Sequence, residues 1–260
     1  MSSHARMFSG AHAAVLLPVF LAVAAIGGEA REPDHAAAGS ALRAVDAALH
    51  PIREGVIRVR STVTRIDAEP VVSVVDVYVK GSDHVLCVFR EGPLAARRIL
   101  TVGDRTWLVV PGSERAIPVS AGQRLLGGAS IADVARLHFE SEFDAEPRPG
   151  DEQIGGDGCR VLDLRARSRK SPYATAVLWI GREDGLPRKA LLSLASGMTA
   201  KEVLFTAYRP LPSGPALERM RIFHRLPSEQ GMETELELVD FESRSLDADL
   251  FTPAGARGLS

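Results

Sequence analysis

Between Val71 and Val119 the chain alternates short apolar runs with turn residues: VVSVVDVYVKGSDHVLCVFREGPLAARRILTVGDRTWLVVPGSERAIPV. Gly81-Ser82, Gly103-Asp104 and Pro111-Gly112 cut it into four runs. Each break offers a glycine where a tight reversal needs positive φ, or a proline that presets φ, so the spacing predicts an antiparallel meander. Upstream, Gly55 opens a strand with Ile57, Val59 and Val63 on one side and Arg58, Arg60, Thr62 and Thr64 on the other. Such alternation belongs to a sheet wet on one face. The run 71–80 is apolar on both sides over much of its length, which predicts a central strand covered on both faces. Further strands are expected at 159–167, 174–181, 187–195, 200–209, 217–226 and 232–241, with hairpin turns at Asp184-Gly185, Ser196-Gly197 and Gln230-Gly231. In the last strand Met232, Thr234, Leu236 and Leu238 alternate against Glu233, Glu235 and Glu237.

Helical spacing is confined to two places. Ser40 can cap a helix carried by Leu42, Val45, Leu49 and Ile52, with Pro51 marking its end. In 123–139 a Gly127-Gly128 hinge precedes Ser130, which caps a short turn three residues before Asp133, and Ile131, Val134, Ala135 and Leu137 form an apolar stripe. A short amphipathic helix entered through two glycines reads as a lid, with a plain connector as the alternative. The stretch 148–158 reads as a long hairpin loop. With no internal repeat and no linker, the expectation is one domain over 40–253, a disordered lead-in at 31–39 and a flexible tail at 254–260.

The first thirty residues change the picture of where the protein works. A mildly basic start with Arg6, an apolar core from Ala13 to Ile26 and the small residues Gly28 and Ala30 follow the order of a secretory signal. A retained anchor is the alternative, but the apolar run is short of the roughly 20 residues a spanning helix needs. Cleavage is therefore expected near Ala30, with export to the periplasm. The formal charge of −2, from 31 basic and 33 acidic residues, suggests neither nucleic acid nor an anionic membrane as partner. An aromatic content of 5% argues against stacking platforms for single strands or sugars. Cys87 and Cys159 fall in strands; two buried free thiols are the plainer reading and a disulfide the alternative.

No constellation points to catalysis. His35, His50, His84, His138 and His224 are scattered without metal-ligand spacing, and neither a nucleophile elbow nor a phosphate loop is present. Asp76 and Asp163 sit in apolar strand contexts but more simply meet an arginine or the wet face. The expectation is therefore a protein that is not an enzyme, with no cofactor and no metal.

Several segments in order resemble a known group: GDRTWLVVPGSERAIPVSAGQR, then SIADVARL, GCRVLDLRAR, SPYATAVLWIGREDGLPRKALLSLASGMTAKEVLFTAYR and ERMRIFHRL…TELELVDFESRSLDADLFTP. Together they are similar to the outer membrane lipoprotein-sorting protein family, the group of the periplasmic lipoprotein carrier and its outer-membrane receptor. That resemblance implies a mainly β fold with a few helices: an incomplete, half-open antiparallel β-barrel closed by a helical lid, with an apolar cavity between. It implies acyl chains of a lipoprotein or a free lipid as ligand, and a membrane lipid transporter as a further partner. The chain departs from the family in lacking an aromatic-rich lid, and Arg58 and Arg60 are the candidates for a lid-latching arginine. Surplus apolar strand positions make Val75, Val77, Leu86, Val88, Trp107, Val109, Leu178, Ile180, Met220, Ile222, Leu236 and Leu238 the candidate cavity lining, with ordinary core packing as the alternative for each and the plainer reading of any single one, and with Ile131, Val134 and Leu137 on the lid. The function expected is a periplasmic carrier or chaperone that shields acyl chains for transfer toward the outer membrane. The alternative is a periplasmic regulatory or transporter-accessory module that binds a protein partner through the curved sheet.

Overall fold

The computed structural model describes residues 35–110, 112–113, 115–119, 137–169 and 171–259. The expected signal segment, the Gly127-Gly128 hinge, and Ile131 and Val134 of the expected lid lie outside the described residues. The strands are β1 (Glu54–Arg65), β2 (Ala68–Lys80), β3 (His84–Glu91), β4 (Arg98–Val102), β5 (Arg105–Val109), β6 (Ile117–Val119), β7 (Phe143–Ile154), β8 (Asp157–Ala166), β9 (Thr175–Gly181), β10 (Pro187–Ser193), β11 (Thr199–Leu211), β12 (Gly214–His224) and β13 (Glu233–Ser243). They form one antiparallel sheet in the order β6-β5-β4-β3-β2-β1-β13-β12-β11-β10-β9-β8-β7. Two sequential meanders thus meet at a single long-range ladder, β1 against β13, running from Gly55↔Ser243 to Thr64↔Glu233. The sheet ends at β6 and β7, which do not pair, so the barrel is incomplete, as the family resemblance implies.

Among the described residues three α-helices accompany the sheet: α1 (His35–Leu49), α2 (Phe139–Glu142) and α3 (Pro253–Gly258). Thirteen strands laid flat would span about 60 Å at the usual spacing. The helix α1, fifteen residues long, reaches only about 22 Å. Yet Ala38, Leu42, Val45 and Leu49 share one buried cluster with residues from β1–β4 and β7–β13. One short helix can serve that many strands only if the sheet curls around it. Extra residues at register shifts, Arg90 on β3, Arg188 on β10, Thr206 on β11, Glu218 on β12, Val239 on β13 and a longer irregularity on β7, supply local bends, because an extra residue kinks a strand and increases its twist.

The opposite face carries a second cluster. Val56, Tyr78, Leu86, Val88, Leu100 and Val109 pack beneath Leu246, Phe251 and Ala256 of the C-terminal segment. A smaller group of Cys159, Val161 and Trp179 sits apart. Both cysteines are buried and free, Cys87 in the inner cluster and Cys159 in the small one.

Four local expectations are corrected. The meander holds five strands, because a turn at Gly92 separates β3 from β4. Gly92 takes φ +96°, and a side chain there would run into Ser73 and the Val72 carbonyl, so the turn demands glycine. The stretch 148–158 is strand up to Ile154, irregular between Pro147 and Asp151, and reverses at Gly155-Gly156. The helix starts at His35 rather than Ser40, within the expected lead-in, and its added turn buries Ala38. The expected tail is instead helical: Thr252 caps α3 by accepting the Gly255 N–H, and Ala256 is buried.

Candidate functional site

A pocket opens between the end of α1 and the inner face of β1, β2, β3, β12 and β13. Leu49 and Ile52 come from the helix end, Ile57 and Val59 from β1, Val77 and Val79 from β2, and Val85 from β3. Leu217, Met220, Leu236 and Leu238 complete the apolar wall, with Gly81 at the β2–β3 turn. The walls meet because Ile57 stands opposite Val77, Val59 opposite Leu238 and Met220 opposite Leu236 in the ladders. The cavity measures about 60 Å³, within about 700 Å³ of unfilled space that runs out to solvent.

The candidate lining residues divide three ways. Val77, Met220, Leu236 and Leu238 line the pocket. Val75, Leu178, Ile180 and Ile222 lie on the inner face as packed core away from it. Leu86, Val88, Trp107 and Val109 are placed on the wrong side by the sequence reading; they belong to the outer cluster under the C-terminal segment. The reason is parity. In β3 the run Val85 to Phe89 is buried throughout, so the alternation that assigns a face is missing, and it is Val85, Cys87 and Phe89 that turn inward. Leu137, expected on the lid, is buried in the inner cluster beside α1.

Arg58 and Arg60 stand away from the pocket. Arg58 donates to Asp76 at 2.8 and 3.2 Å, and Arg60 pairs with Glu237 at 3.0 Å. Arg90 also donates to Asp76, at 2.8 Å, and to the Tyr78 hydroxyl. Burial alone would raise the Asp76 carboxyl, but the hydrogen bonds and charges of Arg58 and Arg90 hold it below its ordinary value. Asp163 lies on β8 and is paired to Arg148. These two carboxylates are therefore structural ion-pair partners.

The polar side chains of the pocket are both histidines, His50 and His138. Their ring centroids are 4.1 Å apart. The sequence reading left them scattered, whereas the fold brings them together at the pocket rim with Asp46. His50 follows Asp46 by four positions at the end of α1, so the two share a helix face. The Asp46 carboxylate accepts the backbone N–H groups of Phe139 and Glu140, both at 2.9 Å, which seats α2 on α1. His50 Nε2 lies 2.9 Å from the Leu137 carbonyl. A carbonyl only accepts, so Nε2 carries the proton and Nδ1 the lone pair. Burial lowers the His50 pKa, favouring the neutral ring, and raises that of the Asp46 carboxyl. The signal in the sequence was the Asp-x-x-x-His spacing; nothing local could have brought in His138.

Residues 81–255 match the model of a family described as an uncharacterized protein. No curated protein matches the chain. Among solved structures, a LolA superfamily protein from Nitrosomonas europaea is similar at 23% identity and a TM-score of 0.72, over 82% of this chain and 96% of that one. A DUF1329 family protein from Desulfovibrio piger superposes with a TM-score of 0.72 at 16% identity, over 86% and 99% of the two chains. A domain named for outer membrane lipoprotein sorting, from Vibrio parahaemolyticus, gives 0.66 at 14% identity, over 84% and 97%. At these identities what is shared is the fold.

Proposed function

The chain belongs to the family of uncharacterized proteins whose model it matches over residues 81–255, and on that premise we propose that it is a non-enzymatic carrier for acyl chains. The observation that carries this reading is the apolar pocket under α1, walled by Ile57, Val77, Met220, Leu236 and Leu238. A fold in common with the LolA superfamily supports it. The carrier works outside the cytoplasmic membrane, exported by residues 1–30 and released near Ala30, and it takes a lipid or the acyl chains of a lipoprotein toward the outer membrane.

The energetics are adequate. Each methylene taken from water contributes about 0.8 kcal/mol, so a long tail contributes on the order of 10 kcal/mol before ordering costs. The cavity of about 60 Å³ admits part of a tail as it stands. Loading the rest requires α1 to lift from the concave face, which makes the helix the moving part.

The test is extraction of lipid from natively purified protein, read by mass spectrometry, alongside uptake of a fluorescent long-chain fatty acid. Leu236→Trp, which fills the pocket, is expected to lower uptake at least tenfold. A wild-type protein that carries no lipid and takes up no probe overturns the proposal.

A further inference from the structure

Beside the two pocket histidines, three potential ligands converge. Asp46, His50 and His138 each offer an atom, and these atoms lie within 4.8 Å of one another. We propose that this rim is a binding site for a divalent transition ion of the zinc type, held by one carboxylate oxygen and two imidazole nitrogens. The inference concerns the rim itself and stands whether or not the pocket carries lipid.

Four observations converge on it. First, two imidazoles and a carboxylate are the donor set of three-ligand zinc sites, which leave a fourth position for water or an incoming group. Second, the Asp46 carboxylate accepts the Phe139 and Glu140 amides, both at 2.9 Å, and is thereby held in one orientation beside the two rings. Third, His50 is held by a backbone carbonyl at 2.9 Å, which fixes its tautomer and orientation as outer-shell partners do for a ligating imidazole. Fourth, the His50 and His138 rings, 4.1 Å apart between centroids, come from distant parts of the chain, so the site exists only in the folded protein. Zinc bonds of about 2.0–2.1 Å need tetrahedral donors about 3.4 Å apart. Closing from the present separations, which reach up to 4.8 Å, would take side-chain rotations. The ion would tie the end of α1 to the chain entering α2, beside the pocket, with its open position available to the polar end of whatever occupies the pocket.

The experiment uses tag-free full-length protein, stripped with chelator and titrated with zinc chloride by calorimetry. One equivalent is expected to bind. At a hundredfold excess over Kd the midpoint of thermal unfolding should rise by roughly 5–10 °C. His138→Ala and His50→Gln, the latter still able to donate to Leu137, should each weaken binding at least tenfold while leaving the metal-free midpoint and circular dichroism close to wild type. His84→Gln, at the exposed His84–Asp83 pair, should leave binding unchanged. Should His138→Ala prove unfolded, His50→Gln decides the question. Absence of zinc binding, or binding that survives His50→Gln and falls with His84→Gln, overturns the proposal.

Discussion

The two faces of the sheet are covered in different ways, and the difference locates the pocket. On the outer face, Leu246, Phe251 and Ala256 lie directly on the patch around Leu86 and Leu100. The strap is also held by polar contacts: the Leu246 carbonyl accepts from Lys80, its N–H donates to Glu54, and Arg98 donates to the Leu259 carbonyl. A segment that follows a small, gently bent patch can fill it. The inner face carries the larger cluster, and α1 is a single helix of fifteen residues within it. Where the rod ends, at Leu49 and His50, the sheet continues, and the side chains of β12 and β13 meet a gap rather than a partner. Apolar surface is plentiful on both faces; only a mismatch between cover and curvature leaves a hollow.

That contrast can be broken most forcefully from outside. Phe251→Ala removes a buried ring from the strap and should cost about 3–4 kcal/mol in urea unfolding. It should leave acyl-probe uptake unchanged, whereas lost uptake without unfolding would show the faces to be coupled.

A smaller effect is expected at Asp76→Asn, about 2 kcal/mol at neutral pH, because Arg58 and Arg90 lose their common carboxylate. Its pH dependence has a definite sign. A carboxyl whose folded pKa is depressed adds stability above its unfolded value, near about 3.9, and loses that stability as the pH falls through the folded value. Wild type and Asp76→Asn should therefore draw together in stability as the pH falls from about 4 through the folded value, and a gap that stays constant over that descent would contradict the ion-pair account.

The smallest effect discriminates best. Ile57→Val at the pocket should cost only about 0.5 kcal/mol, since the lost methyl already faced open space. Ile222→Val, on the same face but fully buried, should cost about 1–1.5 kcal/mol. Equal costs, measured by the same unfolding series, would mean that the pocket is packed in solution.

Much of the fold was legible where one face of a strand stays wet. Ile57, Val59 and Val63 on β1 turn inward as their alternation requires, and Met232, Thr234, Leu236 and Leu238 do so on the last stretch. Their polar partners meet across the sheet, Glu237 with Arg60 and Glu233 with Arg221. Legibility failed where both faces are buried. In β3 nothing in the pattern separates Leu86 and Val88 from Val85 and Cys87, and both residues expected to face the cavity, Leu86 and Val88, lie on the outer side. The pair Trp107 and Val109 failed for a related reason, because an apolar strand shows that it is covered without showing by what. The rim escaped notice because each of its histidines, taken alone, resembles any other.

What the sequence by itself determined is local: the number and direction of most strands, the turns that glycine alone can make, and the solvated sides of β1 and β13. These depend on side-chain alternation and on allowed φ, which neighbouring residues settle among themselves. Only the tertiary structure decided which face would hold the pocket, that β1 would pair with β13 across the whole chain, and that Asp46 and His50 would meet His138. Those outcomes depend on how far the sheet curls and on where a rod of fixed length stops inside it, quantities that are sums over many strands and belong to no single stretch of the chain.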